Sequence, residues 1–243
     1  MGKYELRTFA SAEELARVAA AQWVTELASQ QGNYFAAFSG GRIARTFCRE
    51  LARVNDSTIQ RFNDSTVQSP LQRVHFFWAD ERCVPRIDPE SNYRLLSEEL
   101  LLPAKIPAER IHRIRGEEAP SIAAVLAEEE MRRIVPLNSD GWPELDMIFL
   151  GMGEDGHVAS LFPPVEQRDG RAIYVAVTAS KPPPNRISMT YDVIVAAKKV
   201  WVLASGPAKG EALRESLRED GKTPLAEVIR KRYTTNILTD FTI

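Results

Sequence analysis

Short apolar runs punctuate the chain, and most of them end abruptly in glycine, serine or charge. Tyr34–Phe38 (YFAAF), Val74–Trp78 (VHFFW) and residues 147–150 (MIFL), 173–177 (IYVAV), 187–191 (ISMTY) and 200–204 (VWVLA) have the length and the aromatic, β-branched content of buried strands. Between them apolar residues recur at helical spacing. Ser11-x-x-Glu14 is a capping box opening a helix that carries Leu15, Val18, Ala19, Trp23 and Leu27 towards Gly32. Ile43, Phe47, Leu51 and Val54 mark a second helix, and Tyr93, Leu95, Leu96 and Leu100 a third, with Ser91 and Asn92 as its N-cap. Residues 121–135 form a fourth with Ile122, Val125 and Leu126 facing inward, residues 224–230 a fifth, and a last strand falls near 236–238. Alternating strands and helices predict an α/β chain whose mostly parallel sheet carries helices on both faces.

In such sheets ligands sit at the carboxyl ends of strands, where the punctuation matters most. The run 150–163, LGMGEDGHVASLFP, passes from a strand into glycines, two acids and His157, with a new helix expected to start just there. Asp155, two residues earlier, can hold one ring nitrogen, and a nearby helix N-terminus favours the neutral imidazole, so His157 is a candidate general base. The same letters spell G-x-G-x-x-G, but the acid that a dinucleotide site needs at the end of the next strand is missing, because that strand ends in Thr178 and Ala179. Ser39-Gly40-Gly41-Arg42 follows another strand and opens a helix, a natural anion cradle without the Gly-Lys-Ser/Thr of a Walker loop. Asp80-Glu81-Arg82 stands where the sheet rim is expected. Lys181 to Arg186 contains three prolines, which favour a stiff polyproline II approach to Arg186. Lys209 sits in the first turn of a helix, against the macrodipole preference, a cost that an anion would offset. A near repeat, NDSTIQRF then NDSTVQSP, begins at Asn55, and residues 55–68 read as a polar surface excursion. His112 has no evident partner and reads as structural.

Composition narrows the options. At 243 residues and 44% apolar, the chain suits one α/β domain over 1–243. A net charge of −2 offers no global attraction for nucleic acid or an anionic membrane, so a phosphate must be held by local Arg and Lys. No apolar leader or membrane-length run is present, which points to the cytoplasm. Cys48 and Cys83 lack metal-type spacing and the three histidines are scattered, so no metal or cofactor is expected.

The motifs taken together resemble the 6-phosphogluconolactonase and glucosamine-6-phosphate isomerase/deaminase superfamily. LGMGEDGHVASLFP, SGG at 39–41, DERCVP from Asp80 with Ser91-Asn92-Tyr93, PPxR ending at Arg186, and Ser205-Gly206-Pro207-Ala208-Lys209 stand in the family's order. ASLFP at 159–163 is similar to the lactonase branch; the deaminases carry glutamate where Phe162 stands. The resemblance implies a three-layer αβα, Rossmann-like fold and hydrolysis of 6-phospho-D-glucono-1,5-lactone to 6-phospho-D-gluconate, the second step of the oxidative pentose phosphate pathway. It implies that His157 activates water with Asp155 orienting it and Arg82 facing the reacting carbonyl. Asp80 would bind sugar hydroxyls, and Ser39, Gly40, Gly41, Arg42, Arg186 and Lys209 the phosphate. The rival readings are an aminosugar-phosphate isomerase/deaminase and a non-catalytic sugar-phosphate-binding domain. The expected partner is the small-molecule substrate alone, on a monomer or weak homo-oligomer.

Overall fold

The computed structural model describes residues 3–62, 69–165 and 170–243. Six strands make one all-parallel sheet in the order β1-β9-β8-β5-β2-β3: β1 (Lys3–Thr8), β2 (Tyr34–Phe38), β3 (Val74–Trp78), β5 (Met147–Gly151), β8 (Lys199–Ala204) and β9 (Thr234–Thr239). Helices α1 (Ala12–Ser29), α2 (Arg42–Phe62), α5 (Tyr191–Ala196), α6 (Gly210–Leu217) and α7 (Pro224–Lys231) complete a three-layer αβα arrangement. The central strands read as unbroken apolar runs because both faces are covered; all five residues of β2 are buried. Trp23 of α1 packs its ring edge-to-face on Phe38 and Phe149, with centroids 5.7 and 4.9 Å away. Ser11 caps α1 as the pattern predicts, accepting from the Glu14 amide at 3.2 Å, while the Glu14 carboxylate accepts from the Ala10 amide at 2.8 Å.

The chain runs from β2 outward to β3 on one side and from β5 outward to β8 on the other. The crevice above the carboxyl ends of β2 and β5 is therefore the topological switch point, the place where an open parallel sheet takes its ligand.

Alternation did not reveal a second, antiparallel sheet, β4-β7-β6, made of β4 (Asp80–Arg82), β7 (Asn185–Met189) and β6 (Tyr174–Thr178). Ala79 joins the two sheets: its amide donates to Phe38 O at 2.9 Å and its carbonyl accepts from Met189 N at 2.8 Å. Asp80-Glu81-Arg82 is thus a short strand, paired antiparallel with β7. Helix α4 (Pro120–Ile134) lies against this sheet through Ala123, Ala124, Ala127 and Met131. Ile122 and Val125, expected inward, are 52% and 56% exposed. Both stripes fit helical spacing, and the alanine stripe wins because small side chains let the helix approach closely. Helix α2 continues through Asn55 to Phe62, correcting the first part of the expected excursion; Asn55 is buried and its Oδ1 accepts from Ser69 Oγ. Residues 63–68 lie outside the described residues. Among the described residues, no helix is long and apolar enough to cross a membrane.

His112 does have partners. Its Nε2 lies 2.8 Å from His75 Nδ1 at the start of β3, and its Nδ1 lies 2.7 Å from Glu130 Oε1. The two rings stack 5.1 Å apart, with Phe35 on His75 and Phe77 on His112. Burial, the Arg110 charge and the second imidazole push His75 down to about 4, and burial also lowers His112 against the pull of Glu130. A histidine in the unfolded chain titrates near 6.5, so between that pH and about 4 the unfolded chain binds protons that the folded chain refuses. Stability should therefore fall as pH drops through this window. Urea midpoints measured from pH 7 to 4.5 are expected to decline in the wild type and to decline less in His75→Asn; equal slopes would contradict the assignment.

Candidate active site

Beyond β5 the chain makes a compact series of turns through residues 152–165, and no helix starts at His157. That corrects the expected helix, removes the dipole argument for a neutral ring, and ends the dinucleotide reading, which requires a helix after the glycines. The imidazole is fixed by other means. His157 Nδ1 lies 2.5 Å from Asp155 Oδ1, which also accepts from the His157 amide at 3.2 Å. The Gly153 amide donates to His157 O at 2.9 Å. A Cβ on Gly153 would stand 2.0 Å from His157 Nδ1 and 2.6 Å from Asp155 Oδ1, so glycine is required for the ring to lie against this backbone. Gly156 takes φ +77°, and its carbonyl accepts at 3.1 Å from the amide of Leu225 in the first turn of α7. Burial works against the Asp155 carboxylate, yet the contacts from His157 hold it below the usual range. It therefore stays an acceptor, which places the neutral ring's proton on Nδ1 and leaves Nε2 with a lone pair. The His157 side chain keeps 26% of its surface open, and its ring packs on Phe162 at 4.7 Å.

Strand β4 supplies the next wall. Period-two alternation puts Asp80 and Arg82 on one face and Glu81 on the other. Asp80 Oδ2 accepts from Ser160 Oγ at 2.8 Å, while Oδ1 is buried with no hydrogen-bond partner among the described residues. The Ser160 amide in turn donates to Ser188 Oγ at 3.1 Å. Arg82 stands directly across from Arg186 on β7. One end of Arg82 is tied down, Nη1 donating to Glu90 O at 2.6 Å. Arg186 donates from Nε to Pro183 O at 3.1 Å and lays its guanidinium over the Phe162 ring at 5.5 Å. Burial and the Arg82 charge both lower its proton affinity. The proline run before it is not a straight polyproline II rod: residues 180–183 bend as the turn of the β6–β7 hairpin, closed by the Ala179 amide on Pro184 O at 2.7 Å. On the opposite face Glu81 is buried, accepting from the amides of Asn92 and Tyr93 at 2.7 Å and from Ser91 Oγ at 3.2 Å. Burial pushes its carboxyl up to about 7 against these donors. Glu81 holds the start of α3 (Asn92–Leu96) and does not face the cleft.

The third wall is cationic and glycine-rich. Ser39 is buried with its Oγ unpartnered among the described residues, and Gly41 takes φ +110° just before α2. A Cβ on Gly40 would meet Asn92 Oδ1 at 1.8 Å. The first amides of α2 lack intrahelical acceptors and, with Arg42, face the end of the β2 loop. Lys209 ends a 3-10 turn, Pro207–Lys209, ahead of α6. Burial and the neighbouring Arg42 lower its pKa, while Asp240 and Glu154 pull the other way. Glu154 belongs to the His157 loop, so the loops after β2, β5 and β8 meet here. Asp240 shapes the last of them, accepting from Ser205 Oγ at 2.5 Å and the Gly206 amide at 2.8 Å.

A family model described as glucosamine-6-phosphate isomerases/6-phosphogluconolactonase matches residues 10–237. The chain belongs to this family. It is 40% identical to the 6-phosphogluconolactonase of Haemophilus influenzae over 144 residues, covering 59% of this chain and 60% of that one. It is 33% identical to the 6-phosphogluconolactonase of Streptomyces coelicolor over 221 residues, covering 86% and 81%. The match to the first relative thus spans less than two thirds of that relative's length. Among solved structures, 6-phosphogluconolactonase from Trypanosoma brucei superposes with a TM-score of 0.81 at 25% identity, covering 98% of this chain and 97% of that one.

Within this family fold, sequence motifs mark His157, Asp155, Asp80, Arg82, Arg186, the Ser39–Arg42 loop and Lys209 as candidates, but not the groups that hold them. The motif marks Phe162 only as the position where the deaminases carry glutamate, yet its ring lies between the imidazole and Arg186. Asn92, which the sequence offers only as part of a helix N-cap, also donates to Asp80 O at 2.9 Å. Ser160 and Asp240 gave no separate signal. The alternation of β4 could have separated Glu81 from its neighbours had that segment been read as a strand. Gly153→Ala should displace the ring from Asp155 without unfolding the chain. Long-range ¹H–¹⁵N spectra of labelled histidine near pH 8 are expected to show a single Nδ1–H tautomer for His157 in the wild type and a mixture in the variant. An unchanged spectrum would contradict the steric argument.

Proposed function

We propose that the protein hydrolyses 6-phospho-D-glucono-1,5-lactone to 6-phospho-D-gluconate, the second step of the oxidative pentose phosphate pathway, and works in the cytoplasm. The observation that carries this reading is a partly open imidazole, fixed by Asp155 through Nδ1 and packed on Phe162 next to Arg186. His157 Nε2 takes a proton from water as the water oxygen bonds to the lactone carbonyl carbon. Asp155 keeps the proton-bearing nitrogen turned away and stabilises the imidazolium that forms. Negative charge grows on the former carbonyl oxygen, where Arg82 faces it. The bond from carbon to ring oxygen then breaks, and the imidazolium returns its proton to that oxygen.

Arg186 takes the phosphate together with Lys209, Arg42 and the Ser39-Gly40-Gly41 loop. The carbonyl carbon and the carbon bearing the phosphate arm both flank the ring oxygen of a 1,5-lactone, so two neighbouring arginines suit two neighbouring groups of one substrate. Asp80, with its spare oxygen, serves a sugar hydroxyl. Phe162 supports hydrolysis over aminosugar isomerisation, because an apolar ring against His157 cannot share in proton transfer. Relatives named as 6-phosphogluconolactonases support the same substrate.

The test follows acid release from freshly made 6-phosphogluconolactone, with the spontaneous rate subtracted. His157→Ala should lower kcat roughly 10²- to 10⁴-fold at little cost in KM. Lys209→Ala should mainly raise KM, by about tenfold or more. Undiminished turnover in the first variant would remove the assignment, and a loss confined to kcat in the second would contradict a pure phosphate role.

A further inference from the structure

Strand β1 ends the parallel sheet on the side away from the candidate active site, and all six of its residues are exposed. The amides of Lys3 and Phe9 donate to Tyr233 O and Thr239 O, at 3.1 and 2.8 Å. In a parallel pair a residue's N–H and C=O point to the same side and successive residues alternate, so the backbone of Tyr4, Leu6 and Thr8 points outward, away from β9. Edge strands of this kind are templates for another strand, and charged side chains usually blunt them. Here the charges alternate in sign along one face: Lys3, Glu5 and Arg7. Tyr4 and Leu6, 42% and 37% exposed, lie on the other face, while Tyr233, 85% exposed, lies under Lys3.

We propose that β1 is a self-association edge, which pairs antiparallel with β1 of a second copy about a two-fold axis through Leu6. Antiparallel pairing sets outward-facing residues against outward-facing residues, which leaves few registers. With Leu6 opposite Leu6, Tyr4 faces Thr8 and all three outward residues of each copy exchange backbone hydrogen bonds. On the other face Glu5 then lies opposite Arg7 of the second copy, twice. Sliding the pair to centre on Glu5 would set glutamate against glutamate and Lys3 against Arg7. Backbone direction admits both registers, and the charge pattern selects the one centred on Leu6, which also pairs more of the outward residues. The contact joins two six-stranded sheets into one and leaves both clefts open. Two short strands bury little surface, so the dimer belongs to the weak, concentration-dependent class.

Sedimentation equilibrium of the full chain from roughly 1 μM to 1 mM should show a monomer–dimer equilibrium. Glu5→Arg and Arg7→Glu should each weaken it by about tenfold or more, and the double swap should restore it, because opposite charges face each other again. In a Cys83→Ser background, Leu6→Cys should cross-link on oxidation, since Cα atoms of a hydrogen-bonded pair lie about 5.5 Å apart, within disulfide reach. Glu5→Cys, displaced from the axis, should cross-link poorly. Activity per protomer should be unchanged in all of these. A monomer at every concentration, single reversals that the swap does not repair, or equal cross-linking by both cysteines would overturn the proposal.

Discussion

The contact between Asp155 Oδ1 and His157 Nδ1, 2.5 Å long and set against the bare backbone of Gly153, is the constraint on which the site depends. A free histidine samples rotamers and tautomers, and one held on a single nitrogen by an ionised carboxylate offers the other nitrogen in a defined direction. The supporting structure serves that geometry. Buried β5 delivers the loop, the Gly153 amide closes it on His157 O, and the amide of Leu225 in α7 fixes Gly156 from behind. Thr223, which caps α7, fills the space that a side chain on Gly156 would need.

Around that imidazole the fold gathers cations that do not favour one another. Arg82 lies across from Arg186, and Lys209 lies beside Arg42; in the partly buried members, Arg186 and Lys209, burial and the like-charged neighbour both lower the pKa. Such crowding of like charge is unfavourable, and a dianionic ligand would relieve it. Asp80 adds a carboxylate oxygen and Ser39 a hydroxyl, both buried and unpartnered among the described residues, at the same rim. A polar group kept dry without a partner is costly in a folded chain and is tolerated where a ligand completes its bonding.

Much of this was legible in the chain. The buried strands of the parallel sheet, β2, β3, β5, β8 and β9, are legible to within a residue or two because such strands are continuous apolar runs, and Ser11 and Ser91 cap as their spacing says. The candidate residues stood out through their motifs, most of them in loops that follow strands, whereas Asp80, Arg82 and Arg186 lie on strands. What failed did so for physical reasons. Strand β1, exposed on both faces, has no apolar run to betray it. Residues 80–82 make a three-residue strand of charges, whose pairing with β7 is long-range. In α4, alanines bury while isoleucine and valine stay out, because closeness of approach outweighs side-chain volume there. The expected helix after His157 was a rule of open sheets that this loop does not follow, since α7, from much later in the chain, supports it instead.

The proposed reaction needs one cleft in which His157 and the cations face a single sugar phosphate. A crystal structure with 6-phospho-D-gluconate bound tests it most directly. The new carboxylate should lie within hydrogen-bonding distance of His157 Nε2, near Arg82, and the phosphate on Arg186, Lys209 and the amides of residues 40–42. A product whose carboxylate lies away from His157, or whose phosphate sits outside these cations, would contradict it.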